Sequence, residues 1–181
     1  MLDLNFSDFP TLKTERLGLR TILNKDNVLI HKLHSDPTVN AFVGRENSSS
    51  LEKANTYIMR MVKFINKKEC LYWVITLKGD DNLIGSVCCW NFDLENGIVE
   101  IGYEMLPEHQ GIGIMTEALK ITIEYIFNSL KANIITAFPS SKNLNSVAIL
   151  KKLNFKIEDK PYNNKHDNIE NIVTYTLRPT K

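Results

Sequence analysis

The stretch PEHQGIGIMTEALK, residues 107–120, decides how this sequence is interpreted. Gly111 and Gly113 stand directly before a run whose apolar residues recur at helical spacing. The first turn of a helix leaves backbone N–H groups without intrahelical acceptors, and the helix dipole adds positive potential there. Because glycine has no Cβ, an anion can approach these donors closely. The stretch is therefore either a plain tight turn or a helix start that can hold a phosphate.

Two common phosphate-binding motifs do not fit this stretch. A P-loop needs a Gly-Lys-Ser/Thr run after its glycines, and none follows here. The dinucleotide-binding fingerprint needs a third glycine where this sequence has Thr116. What remains is a strand, a glycine turn and a helix, so the surrounding residues must decide between the two interpretations.

Outward from this turn, the sequence switches between two periodicities. Runs rich in β-branched and aromatic residues predict strands, whereas apolar positions three and four residues apart predict helices. The order β, α, α, β, β, β, α, β, α, β, β predicts a mixed α/β (α+β) fold in a single domain, residues 1–181. The predicted strands are residues 11–22, 71–77, 83–93, 97–105, 133–139, 155–160 and 171–177, and the predicted helices are residues 24–36, 46–69, 114–130 and 143–153.

Charge and composition narrow the range of partners and locations. The chain has 22 Lys and Arg against 21 Asp and Glu, a formal charge of +1, so neither nucleic acid nor an anionic membrane is an expected partner. The first residues do not form a signal peptide, and no segment has the ~18 consecutive apolar residues of a membrane helix. Cys70, Cys88 and Cys89 lack metal-ligand spacing and fit buried free thiols, the last two on opposite faces of a strand. We therefore expect a cytoplasmic protein without a metal.

The residues around the glycines resemble a known family. Residues 98–119, IVEIGYEMLPEHQGIGIMTEAL, are similar to motif A of the acyl-CoA N-acyltransferase (GNAT) superfamily. The family pattern Arg/Gln-x-x-Gly-x-Gly/Ala corresponds here to QGIGIM, which begins at Gln110. Within the superfamily, the sequence looks most like the ribosomal-protein alanine and serine N-acetyltransferases. TERLGLR, EIGYE and NLNSVAILKKLNF match the same group in the same order, so the resemblance covers about residues 12–155.

Two positions depart from the family pattern. Met115 occupies the last small position of motif A, which narrows the room beside the turn. Asn154 replaces the glycine of the usual LGF near the end of the later motif. Asparagine tolerates a left-handed backbone better than other residues with a side chain, so the helix can still end there. Neither change removes a side chain that the chemistry of the family requires.

The resemblance implies both the fold and the ligand. The fold would be a central sheet of about seven strands, splayed between the fourth and fifth, and the ligand would be acetyl-CoA. Its pyrophosphate would lie on the N–H groups of the glycine turn, and its pantetheine arm would pair with the main chain of the preceding strand. The implied cofactor-binding residues are Met105, Leu106, Gln110, Gly111, Ile112, Gly113, Ile114, Met115, Thr116, Asn143 and Ser146.

Candidate catalytic residues follow from strand alternation and from the resemblance. Alternation along residues 97–105 places Glu100 and Glu104 on the face opposite the apolar residues, with which Tyr103 is grouped. Either carboxylate can be an ion-pair partner or a general base that acts directly or through water, and we favour Glu100 over Glu104 as the base. The resemblance makes Ser146 the candidate acid for the departing thiolate.

Other residues keep a structural alternative. Asn143 can cap the following helix as well as contact the pantetheine arm. His31 and His34, three residues apart on a predicted helix, are expected to form a surface pair rather than a metal site. Trp90 is expected in the core, or as a wall of the acceptor pocket. His166 lies in a late polar loop where an acceptor could contact it, although no role follows from its position.

The resemblance implies an acetyl-CoA-dependent N-acetyltransferase that transfers the acetyl group directly to a primary amine. The matched motifs contain no cysteine, which argues against a covalent thiol intermediate. The acceptor is either a protein N-terminal α-amine or a small-molecule amine, chosen by residues 35–50 and 161–168. The alternative is a non-catalytic acetyl-CoA-binding sensor domain with the same fold. We expect a monomer or a homodimer.

Overall fold

The described residues build one eight-stranded mixed sheet. The structure is a computed structural model, and it describes residues 1–160, 162, 164, 166 and 168–179. In chain order the strands are β1 (Leu12–Lys13), β2 (Leu17–Thr21), β3 (Leu71–Leu77), β4 (Gly85–Asp93), β5 (Ile98–Met105), β6 (Ile134–Ala137), β7 (Lys156–Ile157) and β8 (Tyr175–Leu177). In space they follow the order β1-β2-β3-β4-β5-β6-β8-β7.

The mixed sheet confirms the predicted fold class, with one strand more than the seven expected. The first predicted strand, residues 11–22, is two short strands. A turn closed by the Thr14 N–H on the Leu17 carbonyl, at 3.0 Å, folds β1 back onto β2 in antiparallel pairing. The predicted final hairpin is confirmed, because β7 and β8 pair antiparallel, and β8 also pairs with β6.

Five α-helices surround the sheet in the described part of the chain: α1 (Asn27–Ser35), α2 (Pro37–Asn40), α3 (Leu51–Asn66), α4 (Ile114–Asn128) and α5 (Leu144–Lys152). Helix α1 ends before Pro37, as predicted, and the Asp36 side chain caps the short α2 that follows. Ser50 caps α3 by accepting the Lys53 N–H at 3.3 Å. Asn154, after α5, has a φ of 65°, so asparagine does take the left-handed position expected of it.

The core consists of two hydrophobic layers, one on each face of the sheet. Helix α4 packs on one layer, together with Trp73 of β3, whereas α1 and α3 pack on the other, together with Tyr72. Because both faces of β3 are covered, its side chains are buried almost without interruption. Cys88 and Cys89 lie in different layers, as their adjacency predicted.

The sheet divides at β5 and β6. Strands β2 to β5 form an antiparallel meander, whereas β5 and β6 run parallel and pair only through residues 98–100 with residues 134–136. Beyond Glu100, the β6 side of β5 has no strand partner in the described residues. This confirms the predicted splay between the fourth and fifth predicted strands, and it leaves the second half of β5 facing a gap.

The structure also bears on membrane association. Among the described residues, every helix is too short or too polar to cross a lipid bilayer.

Candidate functional site

The glycine turn, defined here as residues 110–116, joins β5 to α4 and leaves its backbone N–H groups free from Gly111 onward. Gly111 and Gly113 have φ angles of 77° and 82°, in the left-handed region that favours glycine. Gly113 is the N-cap of α4 and gives the helix no side-chain cap. Within the described residues, the N–H groups of residues 111–116 donate to no protein acceptor. A Cβ added at Gly111 would meet no atom within 4 Å, so the turn is open to a ligand.

The side chains of the turn leave these donors accessible. Met115 is only 7% exposed and packs into the core, so it does not cover the turn. Ile112 is 60% exposed and points away into solvent. The Gln110 amide donates to the Met105 carbonyl at 2.8 Å and thereby ties the start of the turn to the end of β5. The narrowing expected from Met115 is therefore absent.

An ion pair supports the glycine turn. Arg16 Nε lies 2.6 Å from Glu117 Oε2, and Arg16 Nη1 donates to the Ile112 carbonyl at 3.4 Å. Thr14 donates its hydroxyl to Glu117 Oε1 at 2.5 Å. These contacts tie the first turn of α4 to the turn between β1 and β2. They also place the Arg16 guanidinium beside the glycine turn, where it adds positive potential.

Two cavities meet beside the second half of β5. The first, which we call the glycine-turn cavity, has a volume of about 450 Å³ and runs from the glycine turn to the start of α5. The second, which we call the Trp90 cavity, has a volume of about 380 Å³ and includes Trp90, Phe138 and His166 in its wall. Both are lined by Tyr103 and Ser146, so the two cavities join at this pair.

The junction is a hydrogen-bonded pair of hydroxyls. Tyr103 Oη lies 2.8 Å from Ser146 Oγ, and either hydroxyl can donate. The Asn143 side chain accepts the Ser146 N–H at 3.1 Å, which confirms that Asn143 caps α5, and it lines both cavities as well. Burial raises the pKa of Tyr103 to about 12, so its hydroxyl remains protonated at neutral pH. A proton donor is thus available where the cavities meet.

Glu100 lies on the wall of the Trp90 cavity with both carboxylate oxygens occupied. Its side chain is 3% exposed, and its Oε1 contacts His166 Nε2. Its Oε2 accepts the Asn91 side-chain amide at 2.6 Å. Asn91 reaches this position because β4 is irregular between Trp90 and Asp93, where Asn91 takes a φ of 47°. The carboxylate is therefore oriented from two sides and remains in the cavity wall.

Glu104, four residues further along β5, forms a different network. Its carboxylate binds Arg45 Nη1 at 2.6 Å and His34 Nε2 at 2.9 Å. Burial alone would raise the pKa of Glu104, but Arg45 and His34 outweigh it and lower the pKa to about 2. His34 is 4% exposed, so the expected surface pair with His31 is wrong for His34, which is buried because Glu104 satisfies its ring.

With this geometry in place, similarity to known proteins identifies the family. Residues 16–156 match the family model described as an acetyltransferase (GNAT) domain. The chain belongs to the GNAT acetyltransferase family. The predicted superfamily and the predicted enzyme class, N-acetyltransferase, are thereby confirmed.

The GNAT proteins similar to this chain include two solved structures that are named for different acceptors. The uncharacterized N-acetyltransferase YoaA of Bacillus subtilis is 31% identical over 83% of this chain and 85% of its own length. The ribosomal-protein-S5-alanine acetyltransferase of Vibrio fischeri has a TM-score of 0.76 at 23% identity, over 93% of this chain and 96% of that one. The spermidine N-acetyltransferase of Vibrio cholerae, solved with CoA and spermine, has a TM-score of 0.76 at 20% identity, over 91% and 96%. These structures share the fold, which by itself does not define an acceptor.

The structure brings most of the predicted GNAT site residues to one place. The glycine-turn cavity is lined by every predicted cofactor-binding residue except Ile112 and Leu106. Leu106 is 2% exposed in the core, its N–H donates to the Ile84 carbonyl at 3.0 Å, and its carbonyl accepts the His109 N–H at 3.0 Å. With both backbone groups bonded internally, Leu106 is not available to a ligand. Part of the predicted acceptor loop, residues 161, 163, 165 and 167, lies outside the described residues.

Several residues of this site are absent from the predictions made from the sequence. Tyr103 was grouped with the core face, whereas its hydroxyl reaches the junction of the cavities. Arg45 and Tyr72 were not singled out, although both line the Trp90 cavity. His166 was noted without a role and contacts Glu100 across 66 positions of sequence. Only Tyr103 could have been found from the local sequence, because it lies inside the EIGYE motif. Arg45, Tyr72 and His166 reach the site only through the fold.

Proposed function

We propose that this GNAT protein transfers an acetyl group from acetyl-CoA directly to a primary amine. The observation that carries the proposal is the junction of the two cavities at Tyr103 and Ser146. The glycine-turn cavity ends on free backbone donors suited to a pyrophosphate, and the Trp90 cavity ends on a buried carboxylate. A thioester and an amine entering from opposite sides would meet at the junction.

The residues present fit acetyl-CoA. The N–H groups of Gly111, Gly113, Met115 and Thr116 would hold the pyrophosphate, and the side chain of Gln110 holds the start of the turn in place. The unpaired side of β5 beyond Glu100 would accept the pantetheine arm as an added strand. Bound there, acetyl-CoA supplies the activated acetyl thioester. We do not retain Leu106 in the binding set, because its backbone groups are bonded internally.

We infer that Glu100 is the general base. Its carboxylate lines the Trp90 cavity and is oriented by Asn91 and His166. Glu104 is a poor base by comparison, because Arg45 and His34 hold its pKa at about 2. The remaining role of Glu104 is electrostatic.

We infer that Ser146 donates the proton that the departing thiolate requires, as the resemblance implied, and that Tyr103 supports it. Ser146 Oγ and Tyr103 Oη are 2.8 Å apart, so a proton lost from the serine can be replaced from the phenol. Because burial keeps the Tyr103 phenol protonated at neutral pH, this pair can donate. Asn143 holds the serine by capping α5.

We also infer a cytoplasmic location and a single domain. Cys70, Cys88 and Cys89 are all free and buried, which suits a reducing compartment. The described strands form one continuous sheet, which supports a single domain over the chain. Among the described residues, no group of three His, Cys, Asp or Glu side chains is placed to hold a metal ion.

Acetyl-CoA binding and turnover test the proposal together. Isothermal titration calorimetry should give saturable binding of acetyl-CoA at one site per chain. A free-thiol assay with N-terminal peptides, amino acids, polyamines and aminoglycosides should then show CoA release with at least one class of amine. Binding without release on any amine would support the sensor alternative, and absence of binding would contradict the proposal altogether.

A further inference from the structure

The Trp90 cavity contains hydrogen-bond donors that have no partner among the described residues. Arg45 Nη2 and Tyr72 Oη are buried, and neither has a hydrogen-bond partner among the described residues. Tyr72 is 1% exposed, and both side chains line the cavity. A buried polar group without a partner destabilises the fold, so native structures rarely keep one unless a ligand or water completes it. These two donors therefore indicate where a ligand binds.

Arg60 adds an unpaired cation to the same wall. It projects from α3 into the lining of the Trp90 cavity, and its guanidinium lies 5.4 Å from the centre of the Tyr57 ring. Arg60 is exposed, and the ion pairs between described residues do not include it, so only solvent balances its charge. Stacking on Tyr57 favours a fixed guanidinium that presents several N–H donors.

The carboxylates of the cavity, in contrast, already have partners. Glu104 binds Arg45 and His34, and Glu100 binds Asn91 and His166. A polyamine entering this cavity would have to displace one of these partners to find a free carboxylate. An anionic group could instead bind hydrogen-bond donors that have no partner. The cavity therefore has free donors but no free carboxylate, which favours an acceptor that carries a negative charge.

Two of the three guanidinium nitrogens of Arg45, a residue of the cavity wall, are held by other side chains. Its Nη1 is bound by Glu104 at 2.6 Å, and its Nε donates to Asn40 Oδ1 at 2.9 Å. The guanidinium is planar, so two fixed nitrogens determine where the third one lies. Glu104 is therefore a positioning residue, because its ionised carboxylate fixes the orientation of the Arg45 guanidinium.

We propose that the acceptor is a primary amine that also carries a carboxylate, which Arg45, Arg60 and Tyr72 bind while the amine faces Glu100. The inference rests on the proposed acetyl transfer and specifies its substrate class. It covers free amino acids and peptides with an acidic residue beside the N-terminus, which share the same chemistry. Polyamines and aminoglycosides, which carry only positive charge, are excluded as good acceptors.

Matched pairs of acceptors test the substrate class. One pair is β-alanine and β-alaninamide. The other pair is two peptides of otherwise identical sequence that begin with Ser-Asp and Ser-Asn. Spermidine is included as an acceptor that carries only positive charge. We expect kcat/KM from thiol release to favour the carboxylate by at least about 10-fold in one pair or the other, with spermidine slower still. The pair that shows the preference distinguishes a small metabolite from a peptide acceptor. The preference should also shrink as the salt concentration rises.

Variants connect that preference to the named residues. Arg60→Gln should reduce the carboxylate preference to within about 3-fold of unity, whereas Arg60→Lys should keep part of it because the charge remains. Arg45→Lys should reduce the preference too, since it keeps a cation for Glu104 and removes the free nitrogen. Lys63→Gln, on an exposed position of the same helix, should leave the preference unchanged.

The outcomes separate this inference from the proposed function. If acetyl-CoA binds and the amide partners or spermidine are acetylated as fast as the carboxylates, the substrate class is wrong and acetyl transfer stands. A carboxylate preference that survives both Arg60→Gln and Arg45→Lys would also overturn the inference. If acetyl-CoA does not bind at all, both proposals are contradicted.

Discussion

The two cavities that meet at Tyr103 and Ser146 are built in opposite ways. The glycine-turn cavity presents backbone N–H groups from one short stretch, residues 111–116, in which the side chains of Ile112 and Met115 are turned away. The Trp90 cavity is lined by residues from the strands β3 to β6, from α3 and α5, and from three loops. One side is therefore determined by local backbone conformation, and the other by the tertiary fold.

The difference indicates how each side can change during evolution. Backbone donors persist under most substitutions, provided that glycine supplies the left-handed conformation and the open space. Side-chain donors such as Arg45 and Arg60 are lost with a single substitution. Substitutions can therefore change the acceptor in the Trp90 cavity while the glycine-turn cavity keeps its ligand. The predictions below test each cavity in turn.

The largest expected effect is on the backbone side. Gly113→Glu places a carboxylate among the donors of the glycine turn, and a Cβ at a φ of 82° adds about 1 kcal/mol of strain. We expect acetyl-CoA binding to fall below detection by calorimetry while circular dichroism shows a folded protein.

Gly79→Glu is the matched control for this change. Gly79 has a φ of 86°, and an added Cβ would meet nothing within 4 Å, so backbone strain is similar without a charge at the site. This variant should bind acetyl-CoA as the wild type does. Equal affinity in Gly113→Glu and wild type would show that the glycine turn is not the pyrophosphate site.

The backbone side was largely predictable from sequence because its determinants are adjacent. Two glycines before a helical run predict free N–H groups wherever the helix packs. Leu106 shows the limit of that reasoning, since alternation and position cannot show that Ile84 and His109 already bond its backbone. Tyr103 shows another limit: β6 diverges after residue 100, so a side chain assigned to the core face extends into the gap instead.

The side-chain cavity could not be predicted in the same way. Glu100 and Glu104 lie four residues apart on the same face of β5, so alternation cannot distinguish them. Their different environments come from residues distant in sequence, such as Arg45 for Glu104 and His166 for Glu100. Only the packing of the loops against the sheet shows that Glu100 is an oriented base and that Glu104 is an ion-pair partner.

The second prediction tests that separation. Glu100→Gln keeps the shape of the side chain and removes the basic oxygen, so we expect kcat to fall about 100-fold. The loss should be greatest at low pH, because only amine that is already deprotonated can then react, and an α-amine has a pKa of about 7.7–8.0. Rate profiles from pH 6 to pH 9.5 measure this.

Two further variants support the interpretation of Glu100. Glu95→Gln removes an exposed carboxylate in the turn between β4 and β5 and should leave the profile unchanged. His166→Gln should shift the profile while retaining more activity than Glu100→Gln, since His166 orients the carboxylate. If Glu100→Gln and wild type had parallel profiles, Glu100 would have only a structural function.

The third prediction concerns the junction of the two cavities. Ser146→Ala removes the hydroxyl that contacts Tyr103, and we expect kcat to fall about 10-fold with little change in acetyl-CoA affinity. The effect is moderate because Tyr103 can still donate through water. Ser141→Ala, at an exposed position of the loop before α5, is the control. An unaltered turnover number would remove Ser146 from proton transfer.

The smallest expected effect concerns Glu104 and its contribution to the free energy of unfolding. The folded-state pKa of Glu104, about 2, lies below the ordinary value of 4.5, so its ion pairs stabilise the fold fully above pH 4.5. That stabilisation is lost as the pH falls from 4.5 toward 2. By linkage, Glu104 should account for on the order of 1 kcal/mol of unfolding free energy lost between pH 7 and pH 3.5.

Urea unfolding of the wild type and Glu104→Gln at both pH values measures this loss. The variant starts from a lower stability at pH 7, because Arg45 and His34 lose their partner, and its stability should fall less on acidification. Glu108→Gln is the matched control, since Glu108 is paired with Lys32 on the exposed surface, where an ion pair contributes little. If wild type and Glu104→Gln lost the same free energy on acidification, Glu104 would not be the ionised anchor that fixes Arg45, and the charged wall of the Trp90 cavity would need another explanation.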